Sequence, residues 1–283
     1  MRLRHAEASS IWVVLGCALL WASGASAETP LERGTYLVQS IAACGNCHTT
    51  LGPDGPVPGM ELAGSPDFFD LPGMHINTPN ITPDKETGIG SWTDEQIITA
   101  IREGRRPDGR MLGPFMPFGM YRGISDTDVR AIVAYLRQVP PVHHEVPRSV
   151  FEIPIPESYG PPVEHVADVP RDDTLAYGAY LAGPVGHCIE CHTPWTDSGP
   201  DYANRLGAGG NQLPGPWGIS VSANITPTGL RTRTDDDIKR IITTGVRPGG
   251  APMLPPMGFA YYRHISDSDL DAIVAYLRSL PPK

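Results

Sequence analysis

The stretch C-G-N-C-H-T-T, residues 44–50, returns as C-I-E-C-H-T-P, residues 188–194. In both copies two cysteines stand three positions apart, and a histidine directly follows the second cysteine. Such a motif can form a redox disulfide, contribute ligands to a zinc site, or attach a haem. The organisation and the chemistry of the chain depend on which of these interpretations is correct.

Attachment of haem is the interpretation that uses every residue of the motif. A redox dithiol needs only the two cysteines, usually beside a βαβ pattern that this sequence lacks, and it leaves the histidine unexplained. A closed structural zinc site needs four ligands, and each copy alone offers two thiols and one imidazole. We therefore predict two covalently bound haem c groups. The predicted haem-binding residues are Cys44, Cys47 and His48, and Cys188, Cys191 and His192.

The repeated motif is part of a duplication that extends over most of the chain. G-T-Y-L at Gly34 and G-A-Y-L at Gly178 are separated by the same 144 positions as the two motifs. After a three-residue deletion in the second copy, I-S-D-T-D-V-R-A-I-V-A-Y-L-R (124–137) aligns without a gap to I-S-D-S-D-L-D-A-I-V-A-Y-L-R (265–278). Self-similarity of this kind predicts two structural units of the same type.

The composition between the repeats predicts where the units meet. Residues 141–173 are rich in proline and have little helical periodicity, which is typical of an extended, semi-rigid linker. We therefore predict one domain at 28–140, a linker at 141–173 and a second domain at 174–283.

Each domain is expected to be built from helices. The first helix carries the G-x-Y-L segment, and a second helix is predicted over 94–103 or 235–244, with a capping box at Thr93 in the first copy. Ser125 and Ser266 are suitable N-caps for the last helix. No alternating apolar pattern supports a sheet, so the predicted fold class is all-α.

The first 27 residues have the features of a signal peptide. A basic start is followed by an apolar run from Ile11 to Trp21 and by the small-residue site A-S-A that ends at Ala27. Cys17 resembles a lipoprotein acylation site, but a cut there would leave too few apolar residues for a signal peptide. No later segment approaches 18 apolar residues, so we expect a mature chain without a membrane span, exported to the periplasm.

The net charge narrows the range of partners. The formal charge is −9 at pH 7. A surplus of negative charge argues against nucleic acid and against anionic membrane surfaces as partners. Redox proteins are the partners expected for a haem protein of this kind.

The sixth iron ligand decides between electron transfer and catalysis. In the aligned loops before the last helix, Met116 coincides with Met257, and no other methionine is common to both halves. Both could be packing residues, since methionine fills irregular gaps well. Their coincidence in proline-rich, non-helical loops instead predicts His/Met ligation, which is typical of electron carriers. The predicted iron ligands are His48, Met116, His192 and Met257.

These segments together resemble the class I cytochrome c fold. The residues that carry the resemblance are C-G-N-C-H-T, N-I-T-P-D-x-x-T-G-I-G-x-W, P-F-M-P-F and the last helix. They look most similar to the multihaem cytochrome c subunits of membrane-associated alcohol and gluconate dehydrogenases. The resemblance implies three-helix haem-wrapping domains in which Gly34 lies against Tyr135, and Gly178 against Tyr276. The chain departs from those subunits in having two haem motifs where three are common, and in lacking a C-terminal membrane anchor.

The predicted function is electron transfer without a catalytic site. A dihaem carrier would pass electrons from a periplasmic or membrane dehydrogenase to the respiratory chain, either as a free protein or as a fixed subunit. The halves differ where Arg233 replaces Trp92, so two distinct haem potentials are expected. The alternatives are a dihaem peroxidase-type enzyme, in which one haem opens a coordination site, and a thiosulfate-oxidising enzyme with a cysteine ligand.

Overall fold

The computed structural model describes residues 28–52, 55–197, 199–215 and 217–283. The predicted signal peptide, residues 1–27, lies outside the described residues.

In both halves the first long helix packs on the last one, and a middle helix contacts the last helix. The helices of the first half are α1 (Pro30–Gln39), α2 (Gly45–His48), α3 (Asp94–Glu103), α4 (Phe118–Tyr121) and α5 (Asp126–Gln138). Those of the second half are α6 (Thr174–Tyr180), a π-helical segment (Leu181–Val185), α7 (Cys188–Cys191), α8 (Tyr202–Arg205), α9 (Asp235–Thr244), α10 (Phe259–Tyr262) and α11 (Asp267–Ser279).

The boundaries of the middle helices follow from their end signals. Thr93 accepts from the backbone of Gln96 and the Gln96 side chain accepts from the backbone of Thr93, which completes the predicted capping box. Gly104 ends this helix in the left-handed conformation, with φ of 67°. The second half repeats this helix with a capping box at Thr234. The two helices therefore occupy the ranges predicted from the sequence.

Glycines allow the first and last helices to approach closely. A Cβ atom at Gly34 would overlap the carbonyl oxygen of Ala131 and would stand 3.1 Å from the Cβ of Tyr135. In the second half, Gly178 meets Ala272 and Tyr276 in the same way. The glycine–tyrosine proximity is as expected, but the tightest contact is to the backbone one turn earlier.

Short antiparallel strands occupy the loops between the motifs and the middle helices. The strands of the first half, with one from the linker, are β1 (Leu51–Gly52), β2 (Gly55–Pro56), β3 (Ser65–Leu71), β4 (Met74–Thr78) and β5 (Val150–Phe151). Those of the second half are β6 (Trp195–Thr196), β7 (Gly199–Pro200), β8 (Gln212–Gly215) and β9 (Gly218–Val221). They pair as β1–β2, β3–β4–β5, β6–β7 and β8–β9.

The prediction of an all-α fold is therefore wrong, since the structure is 35% helical and contains several small antiparallel sheets. The longest strand, β3, reads S-P-D-F-F-D-L, and its pairing with β4 is irregular between Ser65 and Phe69. Asp67 within it has a positive φ of 50°, which breaks the alternation of side chains. The remaining strands have two to five residues, too few to give a period-two pattern in the sequence.

The proline-rich linker folds back onto the first domain. Its strand β5 adds to β4 as the third strand of the sheet. Asn80 donates to the carbonyl of Val142 at 2.7 Å, and the hydroxyl of Tyr159 donates to the carbonyl of Leu112 at 2.8 Å. The linker is thus held along its length by the first half, from the N-I-T-P turn to the Met116 loop.

The two halves exchange a matched pair of hydrogen bonds. Tyr36 on α1 donates to Asp269 on α11 at 2.7 Å, and Tyr180 on α6 donates to Asp128 on α5 at 2.7 Å. Tyr36 and Tyr180 are equivalent positions of the repeat, and so are Asp128 and Asp269. Each half therefore donates one of these hydrogen bonds to the other half and accepts the equivalent bond from it.

A buried ion pair lies next to this exchange. Arg33 donates to both carboxylate oxygens of Asp128, from Nε at 2.7 Å and from Nη2 at 2.8 Å. The same Nη2 atom lies 3.3 Å from the hydroxyl of Tyr177, the residue equivalent to Arg33 in the second half. Although burial opposes it, the pairing with Asp128 raises the pKa of Arg33.

Within the described residues, no helix has the length and apolar character that crossing a bilayer requires.

Candidate functional site

Each cysteine motif begins at a strained backbone position. Ala43 has a φ of 47° and its equivalent, His187, has a φ of 40°, both in the left-handed region that non-glycine residues seldom adopt. One short helical turn follows, α2 in the first half and α7 in the second. The turn brings the motif's second cysteine and its histidine back towards the first cysteine. The same strained conformation occurs at the equivalent position of both halves, so we regard it as a structural feature of the motif.

Both motif histidines are oriented by a backbone carbonyl. His48 Nδ1 lies 2.8 Å from the oxygen of Pro79, and His192 Nδ1 lies 2.7 Å from the oxygen of Ala223. A carbonyl oxygen can only accept, so Nδ1 carries the proton and Nε2 keeps the lone pair. A carbonyl acceptor on the other ring nitrogen is the usual arrangement for histidines that bind metals.

The surroundings also keep these imidazoles neutral. Burial lowers the pKa of His48, and the hydrogen bond to Pro79 opposes that effect only in part. Burial lowers the pKa of His192 in the same way, against the bond to Ala223. A neutral imidazole is the form that coordinates a metal ion.

The four motif cysteines are free thiols. Burial is the main cause that raises the pKa of Cys44 to about 12 and that of Cys188 to about 11. Two free thiols and one neutral imidazole on each turn are the donor set that covalent attachment of haem c requires. The residues present therefore fit this cofactor in both halves.

Two buried tyrosines connect the two motifs. Burial is the first cause that raises the pKa of both Tyr121 and Tyr262. Tyr121 also lies near both cysteines of the first motif and near Glu190 of the second. Tyr262 interacts with both cysteines of the second motif and with Cys47 of the first. Tyr121 also packs edge-on against His187, directly before the second motif, at 5.8 Å, so the two motifs lie near each other at the junction of the halves.

The second motif contains an acidic residue where the first has an amide. Glu190 is equivalent to Asn46, and burial raises the pKa of its carboxyl group to about 7. Burial, with a further contribution from the charge of Glu190, raises the pKa of Cys191 to about 12. The two cysteine motifs are thus electrostatically different.

The two methionines singled out from the alignment lie in equivalent loops. Met116 precedes α4 and Met257 precedes α10. Both are partly buried and pack against the hydrophobic core. In each loop the backbone turns back directly, because Phe118 N donates to Met116 O at 2.8 Å and Phe259 N donates to Met257 O at 3.0 Å.

The two N-I-T-P segments form turns that use their asparagine side chains. Asn80 Oδ1 accepts from the backbone and the hydroxyl of Thr82 at 2.9 and 2.7 Å. Asn224 Oδ1 accepts from Thr226 in the same way at 2.8 and 2.7 Å. The contacts explain both asparagines as turn-forming residues.

The sequence interpretation did not identify the tyrosines between the motifs or the contacts that join the halves. Tyr121 and Tyr262 are equivalent positions of the duplication. The presence of tyrosine at this position in both halves could have identified them as candidates. The sequence gives no signal that a residue in one half contacts the other half.

Comparison with known proteins finds the same family twice in the chain. The family model described as Cytochrome c matches residues 31–140 and again residues 176–281. The chain is 35% identical to the fructose dehydrogenase cytochrome subunit of Gluconobacter japonicus, over 92% of this chain and 54% of that protein. It is 31% identical to the cytochrome c subunit of a quinone alcohol dehydrogenase from Gluconobacter oxydans, over 90% of this chain and 55% of that protein. It thus spans about half the length of these two dehydrogenase subunits.

A shorter relative matches from end to end. The chain is 29% identical to a diheme cytochrome c-type protein of Cereibacter sphaeroides, over 99% of both proteins. Two matched domains and two cysteine motifs agree with the two haems in that protein's name.

Proposed function

The chain belongs to the cytochrome c family, and from that membership we propose that it is an exported dihaem electron carrier. We propose that it accepts electrons from a dehydrogenase and delivers them to the respiratory chain. The observation that carries the proposal is the duplicated motif, with two free thiols and a carbonyl-oriented neutral histidine in each half.

Membership of this family confirms three predictions from the sequence. The resemblance to cytochrome c is confirmed by two matches of the family model. The cofactor is haem c in two copies, in agreement with the two motifs and the diheme relative. The chain is an electron-transfer protein and not an enzyme, in agreement with relatives named as cytochrome c subunits.

The residues that would hold the first haem are Cys44 and Cys47 as thioether tethers, His48 through Nε2, and Met116 as the sixth ligand. The corresponding set in the second domain is Cys188, Cys191, His192 and Met257. Bound haem iron supplies reversible exchange of one electron between its ferric and ferrous states. A thioether ligand favours the ferrous state and raises the potential relative to a second imidazole. The unequal motifs, Asn46 in one and Glu190 in the other, support two distinct potentials.

The junction of the halves supports a relay between the haems. Tyr121 and Tyr262 are buried aromatic groups near cysteines of the motifs, and Tyr121 packs against His187 at 5.8 Å. The reciprocal bonds of Tyr36 and Tyr180 hold the domains, proposed as 28–140 and 174–283, in a fixed relation. One electron could then enter at one domain and leave at the other.

The names of the relatives supply the class of electron donor. Fructose, alcohol and gluconate dehydrogenases have subunits similar to this chain, so the proposed donor is a dehydrogenase of that kind. The match to a diheme protein supports two haem domains, and we propose that they form a free carrier. Co-purification of a dehydrogenase with the native protein would support a fixed subunit instead.

Export is proposed from the first 27 residues. Cleavage after Ala27 would leave Thr29 as the N-cap of α1, with the capping box that Thr29 forms with Glu32. The N-terminal sequence of the protein from the periplasmic fraction tests this step, and an intact residue 1 or a cytoplasmic location would contradict it.

One set of measurements tests haem number and ligation together. A pyridine haemochrome assay should give two haems per chain, and the oxidised protein should have the charge-transfer band of methionine-ligated ferric haem. Met116→Ala and Met257→Ala should each lower one midpoint potential and remove about half of that band. Met253→Ala, from the same loop as Met257, is the matched control and should change neither. Carbon monoxide binding by one haem of the unmodified reduced protein would favour the peroxidase-type alternative.

A further inference from the structure

The loop that carries Met257 lies directly against the first cysteine motif. The side-chain amide of Asn46, between Cys44 and Cys47, donates to the carbonyl oxygen of Pro256 at 3.2 Å. Pro256 immediately precedes Met257 in the chain. The first domain therefore contacts the backbone that sets the position of this methionine.

Two further contacts place the same segment on the first motif. Gly258 is buried, and a Cβ atom there would stand 3.4 Å from both the Cβ of Ala43 and the Cγ of Asn46. One helical turn later, the hydroxyl of Tyr261 lies over Gly45, where any Cβ would overlap it. Contacts before and after Met257 therefore fix its loop from the other half.

The equivalent loop in the first half is supported mainly by aromatic residues of its own half and by the linker. At the position of Pro256 the first half has Phe115, whose ring packs at 6.1 Å from Phe68 and 5.7 Å from Phe69. The carbonyl of Leu112, four residues before Met116, accepts from the linker residue Tyr159 at 2.8 Å. The Met116 loop thus rests mainly on its own half and the linker, although Tyr121 after it packs against His187 at 5.8 Å. A hydrogen bond from the other half's motif to the carbonyl just before the methionine is found, among the described residues, at the Met257 loop.

Sequence differences explain why the second motif does not make the same contacts to the Met116 loop. The second motif has Ile189 where the first has Gly45, and Glu190 where the first has Asn46. In its ionised form Glu190 has no hydrogen to donate to a carbonyl, and isoleucine leaves no room for a ring directly above the backbone. Met120 stands in the first half where Tyr261 stands in the second.

We propose that Asn46 is a positioning residue for the second haem, because its hydrogen bond to Pro256 holds the Met257 loop. The inference rests on the proposed ligation of the second haem by Met257. The potential of the second haem then depends on a side chain that belongs to the first haem's attachment motif. Loss of the bond would free the Met257 loop and weaken ligation by its thioether, which would lower that potential.

The test uses the full haem-loaded chain and two readouts, the two midpoint potentials and the methionine charge-transfer band. Met257→Ala first identifies which potential belongs to the second haem. Asn46→Leu, similar in size but without a donor, should lower that same potential and weaken the band by up to half. Asn46→Gln keeps an amide donor and should recover at least part of both signals.

Tyr159→Phe is the matched control, since it removes the bond that supports the Met116 loop. It should move the first haem's potential and leave the second unchanged. If Asn46→Leu moves the first haem's potential alone, or neither potential, the positioning role is wrong. If Asn46→Leu does not mature, Asn46→Ala also lacks the donor and gives the same test.

The failure of this inference can be told apart from failure of the ligand assignment. If Met257→Ala leaves both potentials and the band unchanged, Met257 is not a ligand and the proposed ligation fails. If Met257→Ala moves one potential while Asn46→Leu and Asn46→Ala do not move the same one, only the positioning role fails.

Discussion

The hydroxyl of Tyr36 donates a 2.7 Å hydrogen bond to Asp269, and so joins the first helix of one half to the last helix of the other. Asp269 lies in the first turn of α11, where Ser266 is the N-cap, and the backbone N–H of Ser266 donates to the same hydroxyl at 3.1 Å. The tyrosine therefore completes the start of a helix in the opposite domain. Tyr180 does the same for α5.

Removing the buried hydroxyl should weaken the junction measurably. Tyr180 is 5% exposed, so Tyr180→Phe should lower the free energy of unfolding by about 1–2 kcal/mol, because buried hydrogen-bond partners lose their pairing. Tyr36→Phe should have a smaller effect, since Tyr36 is only partly buried. Urea denaturation of the haem-loaded protein measures both. Tyr276→Phe on α11 is the control, and an equal loss in that variant would contradict the assignment.

The two equivalent aspartates should differ in their importance. Asp128→Asn leaves the buried guanidinium of Arg33 without a carboxylate, so we expect a loss of about 3 kcal/mol in unfolding free energy. Asp269 accepts from Tyr36 and has no buried arginine partner among the described residues, so Asp269→Asn should cost about 1 kcal/mol. Denaturation midpoints of the two variants give the comparison. The double variant Arg33→Met/Asp128→Leu should recover part of the loss, and no recovery would indicate that the charge pair is not the cause.

The contacts between the first and last helices at Gly34 and Gly178 should not tolerate an added methyl group. In Gly34→Ala the new Cβ would overlap the carbonyl oxygen of Ala131, so the helices must separate, at a cost of about 3 kcal/mol or more. Gly178→Ala should behave alike against Ala272. Gly119 has open space around its Cβ position and an ordinary φ, so Gly119→Ala should be neutral or slightly stabilising. Thermal unfolding separates these cases, and unchanged melting in Gly34→Ala would disprove the close approach.

The stability of the first domain should fall at acid pH through Asp126. Partial burial alone raises the pKa of Asp126, but hydrogen bonds from Arg102, His165 and the backbone of Val166 outweigh it and lower that pKa to about 2. A carboxyl group with a lowered folded-state pKa contributes stability above its unfolded pKa, and the contribution disappears as pH falls through the folded value. We expect a loss of about 1–2 kcal/mol between about pH 4 and pH 2, allowing for solvent screening at a side chain that is 32% exposed.

Unfolding free energies measured along that pH range provide the test. Asp126→Asn should flatten the slope. Asp267→Asn is the matched control, because Asp267 is the equivalent residue of α11 and Thr243 stands there in place of Arg102. A slope that persists in Asp126→Asn would place the acid-sensitive group elsewhere.

The sequence was sufficient where the determinants of structure are local. The capping box at Thr93 and the N-cap at Ser125 are signals within one helical turn, and both helices begin where these signals predict. The duplication then extended each local prediction to the other half. The cysteine motif identified the cofactor for the same reason, because all three of its functional groups lie within five consecutive residues.

The sequence was insufficient where a contact joins distant segments. Strand β3 pairs through an irregular register and carries Pro66, so its side chains do not alternate. Tyr36 and Tyr180 fit an ordinary helical pattern, and comparison of the halves cannot tell whether a tyrosine contacts its own domain or the other one. The contact of Asn46 could not be predicted for the same reason, because its partner is a backbone carbonyl whose position depends on the arrangement of the two domains.

The reciprocal tyrosine bonds have the pattern of an isologous interface, in which two copies of one subunit contact each other around a twofold axis. In a homodimer of identical subunits, the position of Arg33 would meet a second arginine across that axis, and two buried like charges would repel. In this chain Arg33 meets Tyr177 instead, at 3.3 Å. Because both copies belong to one chain, the residues at the axis need not be identical. The chain can therefore place an arginine against a tyrosine there, which a symmetric dimer of identical subunits could not do.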